Sequence, residues 1–402
     1  MRRDTCSSPT LPTKSWSPGT RKGASRSPRR RPLCEGRSGR RPRPPVEKGS
    51  PVPREHTVKL IAEAVDRLIT VDVSSRGAVQ VLYDAAREKL GNRPLTLLAA
   101  ERLRDVAAPE RPVVIATGLP IRGWFSPALA ESDGPIGAAT LARALVLAFR
   151  SLPVLICEEE QVPLLTACVR AAGLIPSTFE QIRSAKESPD ALPDRLIPAV
   201  VVRGFPADEG KLERATEELL KIQPAALISV ERLGANARGI YHYARGEKVR
   251  TEAMAKVDPL FAAARSRGIL TVCIGDGGNE LGMGLIREEV RRHVPYGKTC
   301  RCPCGAGLAP EFVPDVLVCA TVSNWGAAGV EACLAALGNN ANLLHSPDME
   351  MNVIRACTDA GALDGLTGLV GAYVDTLPAK ICADIVEILQ AILLNASIAA
   401  QP

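Results

Sequence analysis

The sequence predicts an α/β fold: a mostly parallel, doubly wound, Rossmann-like sheet with helices on both faces, preceded by a disordered tail. Two patterns carry that expectation. Six short and nearly unbroken apolar runs, at 113–116, 154–157, 199–202, 226–230, 270–274 and 316–320, have the character of strands covered on both faces. Between them lie segments with apolar residues at helical spacing, at 136–149, 162–172, 209–222, 258–267 and 327–337. Strands that alternate with helices pair in parallel through crossover connections.

The elements follow in chain order. Val58, Ile61, Ala62, Val65, Leu68 and Ile69, then Val79, Leu82, Tyr83 and Ala86, give two helices within 56–90, separated near 74–77. The strand–helix alternation comes next, and the chain closes with helices near 349–359 and 379–394. The stretch 381–400 is greasy, but Asp384, Glu387, Gln390 and Asn395 interrupt it at helical spacing. It reads as a packing helix rather than a span of about 20 apolar residues, so no membrane partner is expected. The folded domain is set at 55–402.

Composition constrains the rest. Aromatic residues are only 3% of the 402, so the core must be built from Ala, Leu, Val and Ile. The formal charge of +6 hides an asymmetry: residues 1–54 carry 12 Arg and 3 Lys against Asp4, Glu35 and Glu47, a net of +12. The domain itself is therefore acidic. The tail has one aromatic residue, Trp16, to interleave with its charges, and nucleic acid is not an expected partner. Rich in Arg, Pro, Ser and Gly, that tail cannot bury enough apolar surface to offset chain ordering and is read as disordered. Its Arg-rich, acid-poor start also fits a transit peptide, whose amphipathic helix the prolines would break. Of the twelve cysteines, Cys157, Cys273 and Cys319 fall inside apolar strands, the place of reduced core thiols in an intracellular protein, cytoplasmic or in the mitochondrial matrix.

Polar signals cluster just after the strands. Thr117-Gly118, Glu231-Arg232, Gly275-Asp276 and Ser323-Asn324 each follow an apolar run directly. The carboxyl ends of parallel strands share one rim, where ligands bind. The densest signal is 275–284, Gly-Asp-Gly-Gly-Asn-Glu-Leu-Gly-Met-Gly. Its glycines permit close backbone approach to a ligand. It contains neither the Gly-Lys-Ser/Thr of a phosphate-binding loop nor the spacing of a dinucleotide fingerprint. Asp276 and Glu280 beside the amides of Gly277, Gly278 and Asn279 suit a cation or a zwitterion, and a plain turn with Asp276 capping the next helix is the alternative. Asp133, in Glu-Ser-Asp-Gly-Pro, adds an acid to the rim or caps the helix behind Pro135. Arg232 or Arg238 would clamp a carboxylate, and His242 would move protons near neutral pH, or the outer charges, Arg245 among them, are a solvated loop. Ser323 reads first as a helix cap, while Asn324 at a helix start suits a carboxylate or an oxyanion.

Cys300, Cys302 and Cys304 stand apart as three thiols in five residues. Structural zinc usually draws on pairs spaced by two to four residues and four ligands in all. The single-residue spacing and the missing fourth partner leave a loop of adventitious thiols as the simpler reading, with His293 nearby in sequence.

Together, Asp133-Gly-Pro, Glu231-Arg-x-Gly, Gly275-Asp-Gly-Gly-Asn-Glu-x-Gly-Met-Gly and Ser323-Asn-Trp-Gly resemble, in order, the C-terminal domain of the D-glutamate cyclase family. Asp364-Gly365 resembles a further Asp-Gly element of that family, and a second one is reduced to Asp375-Thr376. The basic tail does not stand in for the additional N-terminal domain of larger members. The resemblance implies a hydro-lyase that cyclises D-glutamate to 5-oxo-D-proline and water. It assigns Asp276 or Glu280 to the ammonium and its proton, and Asp133 to the amine or to a second acid. Arg232 and Glu231 fall on the substrate's polar groups, with Asn279, Asn324, Ser323, Thr117, Gly118 and the Gly277 and Gly278 amides lining the pocket. A magnesium or manganese ion on Asp133, Asp276 and Glu280 is a variant reading, and a homo-oligomer is compatible with all of this. The rival classes are a non-catalytic amino-acid-binding domain and a metal-dependent phosphoryl-transfer enzyme.

Overall fold

The computed structural model describes residues 54–399, apart from 189, 191–194, 251 and 253. The basic tail read as disordered lies outside the described residues except for Arg54. Seven strands form one parallel sheet: β1 (Pro112–Ala116), β3 (Leu152–Cys157), β4 (Ile175–Pro176), β5 (Ala199–Gly204), β6 (Ala226–Val230), β7 (Leu270–Gly275) and β8 (Val316–Cys319). Their spatial order is β4-β5-β3-β1-β6-β7-β8. β1, β6, β7 and β8 are buried almost throughout, as their continuous apolar runs require.

The order contains a reversal. From β1 the chain moves outward through β3 to β4 at the edge, lays β5 between them, then returns to place β6 on the opposite side of β1, paired from Val113–Ala226 to Ala116–Ser229. The loops leaving β1 and β6 therefore part in different directions at the carboxyl end of the sheet. That is the topological switch point where open α/β sheets bind ligands.

Helices pack around the sheet: α1 (Arg54–Ile69), α2 (Val79–Lys89), α3 (Leu95–Val106), α4 (Pro135–Phe149), α5 (Val162–Ala171), α6 (Phe179–Glu187), α7 (Glu209–Lys221), α8 (Asp258–Ser266), α9 (Arg287–His293), α10 (Ser323–Gly338), α11 (Pro347–Asp359) and α12 (Ala379–Ala399). α3, α6 and α9 were not evident in the apolar periodicity. No helix among the described residues is long and apolar enough to cross a membrane.

α10 is the central helix, packed on α1, α3, α4 and α12 and buried from Ser323 to Ala335. Its small residues let α4 approach closely: a Cβ on Gly137 would sit 2.9 Å from both the Ala327 Cβ and the Asn324 Cα. Two short pairings finish the rim. β2 (Ala130–Glu131) runs parallel to β9 (Ala362–Leu363), and β10 (Tyr373–Val374) with β11 (Leu377–Pro378) makes a small hairpin. The first ties the loop after β1 to the segment after α11, so that residues 364–376 reach the same edge as Asp133. The ten cysteines among the described residues are free thiols.

Candidate functional site

Several rim loops deliver acids. Glu131 and Asp133 come from the loop between β1 and α4, Glu231 from the end of β6, Asp276 and Glu280 from the loop after β7, and Asp375 from the hairpin turn. All are buried except Asp276, whose side chain is still only 7% exposed. Two triads bring one oxygen from each member within 4.8 Å of the others: Asp133 with Asp276 and Asp375, and Glu231 with Asp276 and Glu280. Asp276 belongs to both, at their junction.

The surrounding backbone explains how these charges are held. Asp133 Oδ1 accepts the amides of Gly134 (3.0 Å) and Asn324 (2.8 Å), and Oδ2 accepts that of Ser323 (2.8 Å). It thereby caps α10, not the α4 helix that follows it in sequence. Asn324 returns the arrangement, its Oδ1 accepting from Gly134 (2.9 Å) and Gly137 (2.8 Å) in the first turn of α4. The amide is thus engaged with protein, as is the Asn279 Nδ2, which donates to the His242 carbonyl (3.0 Å). Ser323 does not cap. Its hydroxyl donates to Glu231 Oε2 at 2.5 Å, and Glu231 occupies the left-handed region at φ 48°. Glu280 folds back onto its own glycine loop, accepting from Gly277 (2.9 Å) and Gly278 (2.8 Å).

A cation meets this cluster. Arg76, from the break between α1 and α2, donates Nη1 to Asp276 Oδ2 (3.0 Å) and Nη2 to Asp375 Oδ2 (2.7 Å), with its side chain 33% exposed. Crowding in a dry rim favours protonated carboxyls. Burial, then the charge of Asp375, pushes Asp133 up to about 7, against the pull of the three amides it accepts. Burial and the Asp276 charge push Asp375 up to about 8, with Arg76 opposing. Glu231 and Asp276 also rise well above the usual carboxylate range through burial and their acidic neighbours. Glu131 rises for the same reasons, burial first and Asp375 next.

Arg232 is held by other partners. It is buried, pairs with Glu158 through both terminal nitrogens (2.9 and 2.6 Å), and donates to the carbonyls of Thr117 (3.3 Å), Gly118 and Ala255. The strand-end position that suggested a carboxylate clamp instead places the guanidinium in the interior, where it ties three loops together. Thr117 keeps its hydroxyl buried without a protein partner, 2.8 Å from where a Cβ on Gly134 (φ 100°) would stand. Arg238 and Arg245 are exposed.

Sequence reasoning gave no site role to Arg76, to Glu131 or to Asp375, which it read only as part of a reduced Asp-Gly element. Arg76 lies in an interhelical break with no motif around it. Asp375 is held in place by Asp364, which accepts from Thr367 N and Oγ1 (both 2.7 Å) and Thr376 N (2.5 Å). That hub makes one structure of the Asp364-Gly365 element and the reduced Asp375-Thr376 element.

A model of the family described as D-glutamate cyclase-like, C-terminal, matches residues 63–390, a span that contains every rim residue above. The chain belongs to the D-glutamate cyclase-like family. Human D-glutamate cyclase, mitochondrial, is 27% identical over 343 residues, covering 78% of this chain and 48% of the human protein. This D-glutamate cyclase-like chain therefore spans about half the length of the curated relative it matches.

Proposed function

We propose that the rim cyclises D-glutamate to 5-oxo-D-proline and water. The observation that carries this reading is the convergence of Glu131, Asp133, Glu231, Asp276 and Asp375 on one buried edge, with Arg76 as the cation against two of them. Such a cluster suits an ammonium group and the movement of its protons, and Arg76 suits the substrate's carboxylate. The human relative's name supplies the reaction.

In the cyclisation the α-amine forms a C–N bond to the γ-carboxyl carbon and one C–O bond breaks. Both protons that leave nitrogen end on the departing oxygen as water. The enzyme must therefore take protons from one face and return them at another. Asp276 and Asp375, both pushed upward by burial and acidic neighbours, fill that role, and Glu231 with its Ser323 hydrogen bond is the second acid. Asp133 and Glu280, filled by backbone amides, fix the loops and the field rather than exchange protons. Arg76 holds the α-carboxylate, in place of the role first given to Arg232. Curling the substrate so that amine and carboxyl meet contributes up to about 7 kcal/mol or more, since the reaction is intramolecular.

The all-oxygen donor set of Asp133, Asp276 and Asp375, or of Glu231, Asp276 and Glu280, also suits magnesium or manganese. Such an ion would supply polarisation of a substrate carboxyl and relieve the repulsion among these acids.

The test is incubation of the purified chain with D-glutamate, with 5-oxoproline followed by chiral chromatography, with and without EDTA, and with Asp276→Asn as control. Turnover lost in Asp276→Asn supports the reading. Tight D-glutamate binding without product would favour a binding domain. Stabilisation or hydrolysis with nucleotides, and silence with D-glutamate, would favour phosphoryl transfer.

A further inference from the structure

Away from the acidic rim, the fold assembles a second set of ligating groups. His242 lies in the loop after β6, and Cys300, Cys302 and Cys304 lie in the loop after α9. The four are at most partly exposed, and one ligand atom from each lies within 4.8 Å of the others. His242 Nε2 is 3.2 Å from Cys302 Sγ and 3.6 Å from Cys304 Sγ. Cys300 Sγ is 3.6 Å from Cys302 Sγ and 3.3 Å from Cys304 Sγ.

We propose that His242, Cys300, Cys302 and Cys304 form a closed tetrahedral zinc site that fastens the loop carrying Glu231 to the loop after α9. Zinc bonds of about 2.3 Å to sulfur and about 2.0–2.1 Å to nitrogen imply tetrahedron edges of about 3.8 Å between sulfurs and about 3.6 Å from nitrogen to sulfur. The four edges given above lie at or inside these values. Three soft thiolates with one imidazole and no oxygen donor select zinc over magnesium or calcium. The fourth ligand comes from His242, 58 residues upstream of Cys300. His293, the nearby histidine in sequence, is turned to Glu289 at 3.2 Å.

The surroundings support thiolates. The Cys304 amide donates to Cys302 Sγ (3.4 Å), and Asn236 Nδ2 lies 3.6 Å from Cys304 Sγ while donating to the Gly307 carbonyl (2.6 Å). N–H groups aimed at sulfur orient metal-bound thiolates and stabilise their charge. Asn236 also accepts from the amides of Arg238 and Ile240 (2.9 and 3.1 Å), so one side chain binds both loops. The site connects onward, because the His242 carbonyl receives Asn279 from the glycine loop that carries Asp276 and Glu280. A metal here would set the stiffness of the rim without touching substrate, and the proposal stands whatever reaction the rim performs.

The experiment measures zinc in the full chain purified under reducing conditions, by elemental analysis, and records the spectrum after cobalt replacement. One zinc per chain is expected. The cobalt form should show a thiolate charge-transfer band and the visible bands of a tetrahedral centre. Cys302→Ser and His242→Ala should give up zinc at a chelator concentration about 10-fold or more below that needed for the wild type, while Asp276→Asn keeps it. Should a variant fail to fold, alkylation of the wild type decides: the three thiols must be protected until the chelator is added. A metal-free protein with freely reactive thiols, a Cys300–Cys304 disulfide in the reduced preparation, or zinc lost with Asp276→Asn alone would overturn the proposal.

Discussion

Asp133 and Asn324 each cap the helix that the other begins. The Asp133 carboxylate accepts the first amides of α10, and the Asn324 side-chain oxygen accepts those of α4. Neither helix start is closed by its own sequence: Gly134 and Val322, the residues preceding the two helices, make no side-chain cap. The exchange locks the loop after β1 onto the loop after β8 and sets the positions of Glu131 and Glu231 between them. Asn324→Ala takes the side-chain acceptor from the Gly137 amide and one of two acceptors from that of Gly134, which keeps Asp133, and a lost cap costs about 1–2 kcal/mol. Chemical denaturation should show that loss. Asp133→Asn keeps part of the cap, so it should cost less stability than Asn324→Ala while removing a charge from the cluster.

Two arginines, one buried and one partly exposed, predict different outcomes on removal. Arg232→Ala strands the buried Glu158 carboxylate, and breaking a buried pair on one side costs about 3–5 kcal/mol. The expected outcome is poor expression or a large fall in melting temperature. Arg76→Met removes a partly exposed side chain, so the fold should persist. On the cyclisation reading its loss raises KM for D-glutamate. An unchanged KM together with an unchanged kcat would remove Arg76 from the site.

Acid–base linkage gives the rim a pH signature. Asp375 and Asp133 are raised in the folded chain to about 8 and about 7, above their unfolded values. Between the unfolded and folded values the native state holds more protons than the unfolded one. Their contribution to stability therefore falls as pH rises from about 4 to about 8, because the unfolded chain ionises first. Melting temperatures across pH 5 to 8, a range of about 3 units within that window, should fall less steeply in Asp375→Asn than in the wild type. Added magnesium or manganese should flatten the wild-type curve if the acids hold an ion.

Much of this arrangement was legible in the chain. The six central apolar runs are strands, and Asp133, Glu231, Asp276 and Asn324, each read as lying beyond a strand, do meet on one edge. What escaped depends on contacts distant in sequence. α3 begins after Pro94 with no cap of its own, because Asp66 on α1 accepts the amides of Leu95 (2.6 Å) and Thr96 (3.3 Å). Periodicity marks that a strand ends just before Glu231 and Arg232 but not which way the guanidinium turns. Arg76 carries no local signal, since its meaning comes from Asp276, 200 residues onward. His242 likewise becomes a partner for the cysteines only through folding.

The reduced Asp-Gly element offers a stability test. Thr376 sits at φ 71° beside Asp375 at φ 51°, so the backbone keeps the left-handed turn that glycine adopts without strain. Thr376 is exposed, and its amide, rather than its side chain, holds Asp364. Thr376→Gly should therefore raise stability by about 1 kcal/mol, net of the extra freedom that glycine gives the unfolded chain. Urea titration checks it. A loss of stability would mean that the threonine side chain contributes packing that outweighs the strain.

His345 shares the pH sign of the rim acids but acts over a higher pH window. It is buried between Glu331 (Nδ1 to Oε2, 2.7 Å) and Glu350 (Nε2 to Oε2, 3.1 Å), joining α10 to α11. Burial pulls the imidazolium down, but the Glu331 charge and the two hydrogen bonds override it and raise the group to about 10. The folded value exceeds the unfolded one, so this stabilisation is complete below about 6.5 and disappears as pH rises through about 10. His345→Ala leaves two buried carboxylates facing one another without a cation, a change of the kind that costs about 3–5 kcal/mol. Denaturant melts at pH 6 and pH 10, values on either side of a window of about 3.5 units, should show the gap between wild type and variant narrowing at the higher pH. A gap that stays constant would mean that His345 acts by packing alone and carries no proton.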